Sequence, residues 1–266
     1  MTHGRREKRS SRLSAGSTVC GYRVLRLLKK LLDIIAEGDQ LILVFELIKG
    51  PDLLEFLQQC GGRVPESLAR YYFAQLVAAV GQMHAIDYCH RDLKLENLMI
   101  DACTKRLKVI DLGLASSCEL AVTLGVGTPD YMSPELIVGK GQLDRKAVDI
   151  WSLGVILFGL VAGHLPFKRS ERSKSNISVL CSNIMRNNMR SMPQDVSPEC
   201  VDLMLSLLQQ QPSDRPTVQQ ISQHPWLKPD FLTQFPPSES HCWPKQLGQA
   251  LQQPTKIPAV GKSRPQ

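Results

Sequence analysis

The stretch at 90–97, HRDLKLEN, places a carboxylate, an ammonium group and an amide close together in the chain, and a second carboxylate, Asp111, follows fourteen residues after Asn97. Transfer of a γ-phosphoryl group requires a carboxylate that orients the attacking hydroxyl, ligands for Mg²⁺ and a positive group near the transferred phosphate. Asp92 could orient the hydroxyl and Lys94 could supply the positive charge, while Asn97 and Asp111 could bind the metal ion. A triplet such as H-R-D is weak evidence alone, because short polar triplets occur by chance.

Three further motifs follow the first one in order: DLG at 111–113, GTPDYMSPE at 127–135 and DIWSLG at 149–154. Chance agreement of four ordered motifs is negligible. From about Leu31 to Leu227 the sequence resembles the protein kinase family. The K-L-E-N spelling and the H-P-W-L ending at 224–227 are most similar to the calcium/calmodulin-dependent and AMP-activated branch of that family.

The resemblance implies a role for each residue of the first motif and for Asp111. Asp92 is expected to be the catalytic base, Asn97 the second metal ligand and Asp111 the main one. Lys94 matches the phosphate-contacting lysine of serine/threonine kinases, so the implied activity is transfer of the ATP γ-phosphate to Ser/Thr hydroxyls of proteins, with ATP and Mg²⁺ as cofactors. A structural ion pair is expected between Glu135 and Arg215.

A nucleotide site is implied by Phe45-Glu46-Leu47-Ile48, which resembles the hinge that binds adenine through backbone groups, here Glu46 and Ile48. Phe45 then stands at the gatekeeper position. Asp52 is placed for ribose or substrate, and Met99 is expected beneath the base. Without the surrounding motifs, the apolar residues among these would be interpreted as ordinary core.

Regulation by phosphate is a further hypothesis. Arg91, directly before Asp92, is arranged as in kinases in which an arginine binds a phosphate on the activation segment, here 111–135. Thr123 is the best candidate for the modified residue, with Ser116 and Ser117 behind it.

The parts that would cover ATP from above are missing from residues 1–48. A complete kinase has a G-x-G-x-x-G loop, a strand lysine and a helix glutamate there. The candidates for these parts lack the required spacing or context; they are Gly16 and Gly21 for the loop, Lys29 and Lys30 for the lysine, and Glu7 and Glu37 for the glutamate. The sequence therefore predicts a truncated N-terminal lobe, which would suit alternative splicing, an incomplete gene model or a degenerate copy. Two functions remain open: a kinase with impaired activity, and a non-catalytic pseudokinase or truncated isoform that acts as a binding scaffold.

The predicted fold class is α+β, with a mostly helical lobe at about 50–227 and a remnant sheet of two or three strands at about 21–48. Apolar β-rich runs on both sides of Glu37-Gly38-Asp39 predict strands at 31–40 and 41–46. Apolar residues at helical spacing predict helices; their ranges are 52–59, 66–86, 147–161, 176–189, 198–209 and 217–223.

Charge and composition divide the chain into three parts. Residues 1–12 carry a net charge of +4 and residues 228–266 carry +3, while 13–227 hold 22 charges of each sign. We expect 1–18 to be a disordered basic tail, 19–227 a kinase-like domain and 228–266 a disordered Pro/Gln-rich tail. Since the basic excess lies in the tails, the folded part offers no net positive surface to nucleic acid.

The eight cysteines show no metal-like spacing, which is typical of reduced intracellular thiols. No apolar run reaches the roughly 20 residues of a membrane span. These patterns predict a cytoplasmic protein, and the basic run at 1–12 leaves a nuclear location open. The predicted partners are protein substrates or scaffold partners, without nucleic acid or membrane, and the oligomeric state stays open.

Overall fold

The computed structural model describes residues 27–117, 127–139, 143–169 and 177–227. Its N-terminal part is a hairpin of two antiparallel strands, β1 (Leu31–Glu37) and β2 (Gln40–Phe45). β-Branched and large apolar residues favour the strands. The connection is two residues long, and Gly38 adopts the positive φ of 59° that an L side chain disfavours.

A body of helices follows the hairpin. The first helix, α1 (Leu53–Gln59), begins where the Asp52 carboxylate accepts a hydrogen bond of 2.8 Å from the Glu55 N–H. The two long helices are α2 (Glu66–Ala85) and α4 (Arg145–Ala162). The shorter helices are α3 (Pro134–Val138), α5 (Ser178–Met185), α6 (Pro198–Leu207) and α7 (Val218–Ser222).

Four short strands position the loops of the polar motifs. They are β3 (Tyr88–Cys89), β4 (Leu98–Ile100), β5 (Leu107–Val109) and β6 (Ser116–Ser117). β3 pairs with β6, and β4 pairs with β5, both antiparallel. The hairpin is joined to this region by backbone bonds of Val109, which accepts from Lys29 N–H at 2.9 Å and donates to Leu27 O at 2.7 Å.

The hydrophobic core lies in the helical body, where α2 and α4 are buried along most of their length. Its largest fully buried side chains are aromatic: Trp151, Trp226, Tyr72, Phe56, Phe73 and Phe158. Burying one large apolar side chain contributes about 1.5–3 kcal/mol. The core therefore stabilises the helical body without help from the hairpin, whose strand residues are exposed except for half-buried Val44.

The α+β fold class and the predicted elements from the hairpin onwards are confirmed, with differences at the ends. α4 begins two residues before its predicted start, because the Asp144 carboxylate accepts from Lys146 and Ala147 N–H. α5 is shorter than predicted, and Asn187, soon after its end, has a positive φ of 51°. The third strand considered for the sheet, 21–28, lies outside the described residues except for Leu27 and Leu28, and both predicted tails lie outside them entirely.

Within the described ranges, none of the helices is long and apolar enough to cross a membrane. The five described cysteines are free thiols: Cys60, Cys89, Cys103, Cys181 and Cys200.

Candidate active site

A buried carboxylate on α4, that of Asp149, holds the backbone of the loop that carries Asp92. Its two oxygens accept from His90 N–H and Arg91 N–H, both at 2.9 Å, and one of them lies 2.8 Å from His84 Nε2. Arg91 has a φ of 70°, in the left-handed region that costs a non-glycine residue about 1–3 kcal/mol. The surrounding contacts maintain this strained backbone, which turns the next residue, Asp92, into the site.

A second set of contacts ties this loop to the strand that leads to Asp111. The Asp92 N–H donates to His90 Nδ1 at 3.3 Å, and His90 Nε2 lies 3.2 Å from Ile110 O. Because Nδ1 accepts, Nε2 carries the proton and donates to that carbonyl. Asn97 O accepts from Ile110 N–H at 2.9 Å, so both ends of the loop are attached to the residue before Asp111.

Asp92 is 9% exposed and surrounded by donors. Lys94 Nζ lies 2.8 Å from Oδ2, and Asn97 Nδ2 donates to the same oxygen at 3.2 Å and to the Asp92 carbonyl at 2.8 Å. Thr128 donates to Oδ1 through its N–H at 3.1 Å and its hydroxyl at 3.0 Å. Lys94 Nζ also donates to Thr128 Oγ1 at 3.0 Å. The carboxylate, ammonium and amide predicted from the motif are therefore brought together.

These donors decide the ionisation of Asp92. Burial acts to raise the pKa of the carboxyl, but the hydrogen bonds from Lys94 and Thr128 and the Lys94 charge outweigh it and hold the pKa below its usual value. Asp92 is thus a carboxylate at neutral pH, and it can accept a hydrogen bond from a hydroxyl.

The predicted metal ligands have oxygen atoms that suit Mg²⁺. Asn97 is buried, and because its amide nitrogen donates to Asp92, its amide oxygen is the atom left for a cation. Asp111 is exposed, with a φ of 60°, and its Oδ1 accepts from Gly113 N–H at 3.2 Å. An amide and a carboxylate oxygen are the hard ligands that Mg²⁺ prefers. The donor set therefore fits the ion.

Thr128 is fixed by the segment around it. Gly127 has a φ of 113°, and a Cβ there would lie 3.3 Å from Arg91 O, so the chain passes close to the loop of Asp92. Glu135, at the start of α3, forms the predicted ion pair with Arg215, whose two terminal nitrogens each donate at 2.7 Å. The pair lies away from the contacts of Asp92, which agrees with a structural role.

The residues predicted to bind the nucleotide lie where the hairpin meets the body. Ile48 is buried, while Glu46, Asp52 and Met99 are half-buried, and Asp52 and Met99 form a β-bridge. Gly50 shapes this turn, because a Cβ there would lie 2.0 Å from Ile100 O.

Two of these side chains are engaged in local contacts. One oxygen of Asp52 caps α1. The Glu46 carboxylate accepts from Lys108 Nζ at 2.7 Å and Lys30 N–H at 2.8 Å. Burial acts to raise the pKa of Glu46, and these bonds lower it on balance. Any contact of Glu46 with adenine would therefore use its backbone, as the resemblance implied.

Two cations near the hinge, Lys29 and Lys108, have partners among the described residues. Lys29 Nζ lies 5.1 Å from the centroid of the Phe45 ring, and Lys108 is paired with Glu46. Phe45 and Leu112, which a full upper lobe would be expected to cover, are 40% and 38% exposed. A complete kinase pairs a strand lysine with a helix glutamate above the nucleotide. In the described part of the chain, the lysine–glutamate ion pair near the hinge is Lys108–Glu46, which joins β5 to the hinge and does not replace that pair.

The sequence patterns did not predict the residues that hold the loops of the site in place. Asp149 was recognised only as part of a motif, and His84 was not singled out. Arg145 was also missed, although its side chain donates to Ser116 Oγ at 3.0 Å beside Arg91, which donates to the same oxygen at 3.2 Å. The signal for Asp149 was available, because a carboxylate within an apolar helix requires buried partners.

Comparison with known proteins agrees with this geometry. Residues 25–227 match the protein kinase domain family, and the chain therefore belongs to the protein kinase family. CBL-interacting protein kinase 20 of Oryza sativa is 38% identical over 208 residues, covering 75% of this chain and 43% of the relative. The human SNF-related serine/threonine-protein kinase is 34% identical over 201 residues, covering 75% of this chain and 25% of the relative.

A probable serine/threonine-protein kinase of Saccharomyces cerevisiae is 36% identical over 201 residues, which are 74% of this chain and 13% of the relative. These relatives agree with the predicted serine/threonine type and place the chain close to the calcium/calmodulin-dependent and AMP-activated branch. The chain spans less than half the length of these three relatives.

Proposed function

We propose that this chain is a protein serine/threonine kinase of low activity, which transfers the γ-phosphate of ATP to hydroxyls of protein substrates in the presence of Mg²⁺. One observation carries the proposal: the Thr128 hydroxyl donates to Asp92 at 3.0 Å and accepts from Lys94 at 3.0 Å. A hydroxyl is thus held between a carboxylate and an ammonium group, which is the environment that an acceptor hydroxyl requires.

In the proposed mechanism, Asp92 orients the substrate hydroxyl and accepts its proton, and Lys94 contacts the phosphate that is transferred. Asn97 and Asp111 would hold Mg²⁺, which when bound neutralises phosphate charge. Asp149 positions the loop by holding the backbone of His90 and Arg91. No nucleophile on the protein is needed, since phosphoryl transfer depends mainly on positioning and electrostatic stabilisation.

The low rate follows from the residues missing before the hinge. The glycine-rich loop fixes the phosphates, and the strand lysine neutralises them. If each stabilises the transition state as much as one preorganised donor does, the absence of each raises the activation free energy by roughly 3–4 kcal/mol. Together the two losses reduce the rate by about four to six orders of magnitude, because each 1.36 kcal/mol is tenfold.

A non-catalytic binding protein is the second candidate. It is favoured by the contacts of Lys29 and Lys108, which direct these cations to Phe45 and Glu46 instead of to a nucleotide phosphate. The helical body would then bind partners or substrates without turnover.

A radiolabelled-ATP assay of the full chain on a generic basic substrate distinguishes the kinase from the non-catalytic binding protein. Asp92→Asn serves as the blank, and Asp195→Asn is the matched control, since Asp195 is exposed and pairs with Arg63 on the surface. We expect slow incorporation by wild type and by the control, and none by Asp92→Asn. Equal incorporation by wild type and Asp92→Asn would reject the kinase in favour of the binding protein, whereas a rate typical of a complete kinase would show that another group supplies the missing charge.

A further inference from the structure

The hairpin presents an uncovered apolar face. In the pairing of β1 with β2, Ile34 lies opposite Leu43 and Ala36 lies opposite Leu41, so these residues share one face, to which Phe45 also belongs. Leu41 is 71% exposed, Leu43 52% and Phe45 40%. A two-stranded hairpin is marginally stable in water, and an exposed apolar patch larger than a few hundred Å² marks an interaction site.

The same hairpin has a free backbone edge on β2. The Glu46 N–H donates to Lys30 O, so the backbone groups of alternate residues beyond it point towards β1. The N–H and C=O groups of Leu41, Leu43 and Phe45 consequently point away from β1. Among the described residues, β1 is the only strand that pairs with β2. This row of unpaired groups can accept another strand.

Charge distinguishes the two edges of the hairpin. β1 carries Asp33 and Glu37, whereas β2 has no charged residue. If two copies paired antiparallel through β1 about Ile35, Asp33 of one copy would face Glu37 of the other, and like charges opposite each other are destabilising. Pairing through β2 avoids this repulsion.

We propose that a second copy of this chain pairs with the hairpin through β2, antiparallel and about a two-fold axis at Leu43. This register places Leu43 opposite Leu43 of the other copy, Leu41 opposite Phe45 and Ile42 opposite Val44. Every cross-strand pair within 41–45 is then apolar, and the outward backbone groups of these residues are satisfied in both copies. The product is a four-stranded sheet, with the β1 strand of each copy at its outer edges.

The size of the surface indicates a weak dimer. Only one strand of each copy, β2, enters the contact, and the apolar face stays open on one side of the four-stranded sheet, so the contact is smaller than a standard specific interface of about 1,600 Å². We therefore expect a monomer at low protein concentration and a dimer at high concentration.

Sedimentation equilibrium on the full chain over a hundredfold concentration range tests the proposal. Leu43→Lys places two ammonium groups together at the axis, and Leu43→Glu places two carboxylates there, so each variant alone should remain monomeric. An equimolar mixture should restore association, because the opposite charges then meet. The matched control is Ile35→Lys, on β1 and away from the axis, which should dimerise like wild type.

Circular dichroism checks that each variant keeps its helical body, which is expected because Leu43 is half exposed and lies outside the core. A wild type that stays monomeric at all concentrations would overturn the proposal, as would a dimer that survives Leu43→Lys. A variant that lacks residues 1–26 tests the other possible occupant of the β2 edge, which is the chain's own N-terminal segment. If the full chain is monomeric and the deletion variant dimerises, the chain's own N-terminal segment occupies β2, and the proposal of a second copy is wrong.

Discussion

Asp111 is the exposed carboxylate of the predicted metal site, whereas Asn97 is buried beside Asp92. Because no lysine before the hinge has the context of the phosphate-binding strand lysine, the metal ion is the main countercharge expected for a nucleotide. Nucleotide binding should therefore depend on both Mg²⁺ and Asp111.

Titration calorimetry with ATP measures this dependence. We expect weak binding to wild type in Mg²⁺, and its loss in Asp111→Ala or when the metal is chelated. Asp195→Asn should bind like wild type. Equal binding by wild type and Asp111→Ala, with or without the metal ion, would contradict the prediction.

The pKa of Asp92 gives a second prediction at this scale. Burial raises that pKa, and the bonds from Lys94 and Thr128 lower it more, so the folded state holds the carboxyl below its unfolded value of about 3.9. A depressed pKa contributes stability that is fully present above the unfolded value and is lost as the pH falls through the folded value. The difference in unfolding free energy between wild type and Asp92→Asn should therefore be constant from about pH 5 to 8. Below about pH 4 it should shift in favour of the variant, because wild type loses the contribution of the ionised carboxyl.

Urea unfolding at a series of pH values measures that difference. A difference that changes mainly between pH 6 and 8 would mean that another group, and not the Asp92 carboxyl, is responsible.

At the scale of elements, Arg215 joins α3 to α4 and to the loop after α6. Its side chain is completely buried, pairs with Glu135 through both terminal nitrogens, and donates to the Ala147 and Gln209 carbonyls at 2.9 and 2.8 Å. It also lies over the Trp151 ring, 5.0 Å from the centroid. Removal of one partner of a buried ion pair costs roughly 3–5 kcal/mol.

Arg215→Met should therefore lower the free energy of unfolding by about that amount, as measured by urea denaturation. Arg63→Met is the matched control, because that arginine forms an exposed pair, and exposed pairs contribute little to stability. Similar losses in the two variants would disprove the structural role of the Glu135–Arg215 pair.

The segment after Asp111 carries the regulatory hypothesis. Ser116 Oγ accepts from both Arg91 and Arg145, and one terminal nitrogen of the buried Arg145 has no hydrogen-bond partner in the described part of the chain. Burial and the neighbouring Arg145 lower the pKa of Arg91. Two arginines this close favour an anion between them. Thr123, the first candidate for phosphorylation, lies outside the described residues.

A phosphate on Thr123 or Ser116 should raise the melting temperature of the protein, and Arg91→Ala should abolish that rise. Arg190→Ala, on a different part of the body, is the control and should preserve it. Phosphopeptide mapping must accompany the melting experiment. A phosphate found only on Thr128, or on no residue of this segment, would count against the hypothesis.

At the scale of the whole molecule, stability is divided unequally. The core of α2 and α4 lies in the helical body, while the strands of the hairpin are exposed on both faces. Backbone groups with little burial around them open at low free-energy cost.

Amide hydrogen exchange at low protein concentration should therefore show fast exchange for 31–45 and slow exchange for 68–83 and 147–161. Protection of the hairpin equal to that of α2 under these conditions would mean that both parts unfold as one cooperative unit.

The sequence by itself determined the family and the order of the main elements, and it predicted which residues are placed for chemistry, because four motifs at fixed spacing predict one arrangement of loops between helices. It also predicted the hairpin and the Glu135–Arg215 pair. Helix ends were less exact, since side-chain caps such as that of Asp144 set them.

Only the tertiary structure decided what surrounds each group. Asp149 is 57 residues from Asp92 in the chain, yet it holds the Asp92 loop, and Thr128 supplies two of the hydrogen bonds that set the pKa of Asp92. The pairing of Glu46 with Lys108 and the joint position of Arg91 and Arg145 likewise depend on how distant elements pack. Such contacts have no local sequence period, because they arise from three-dimensional packing and burial and not from the spacing of residues along one element.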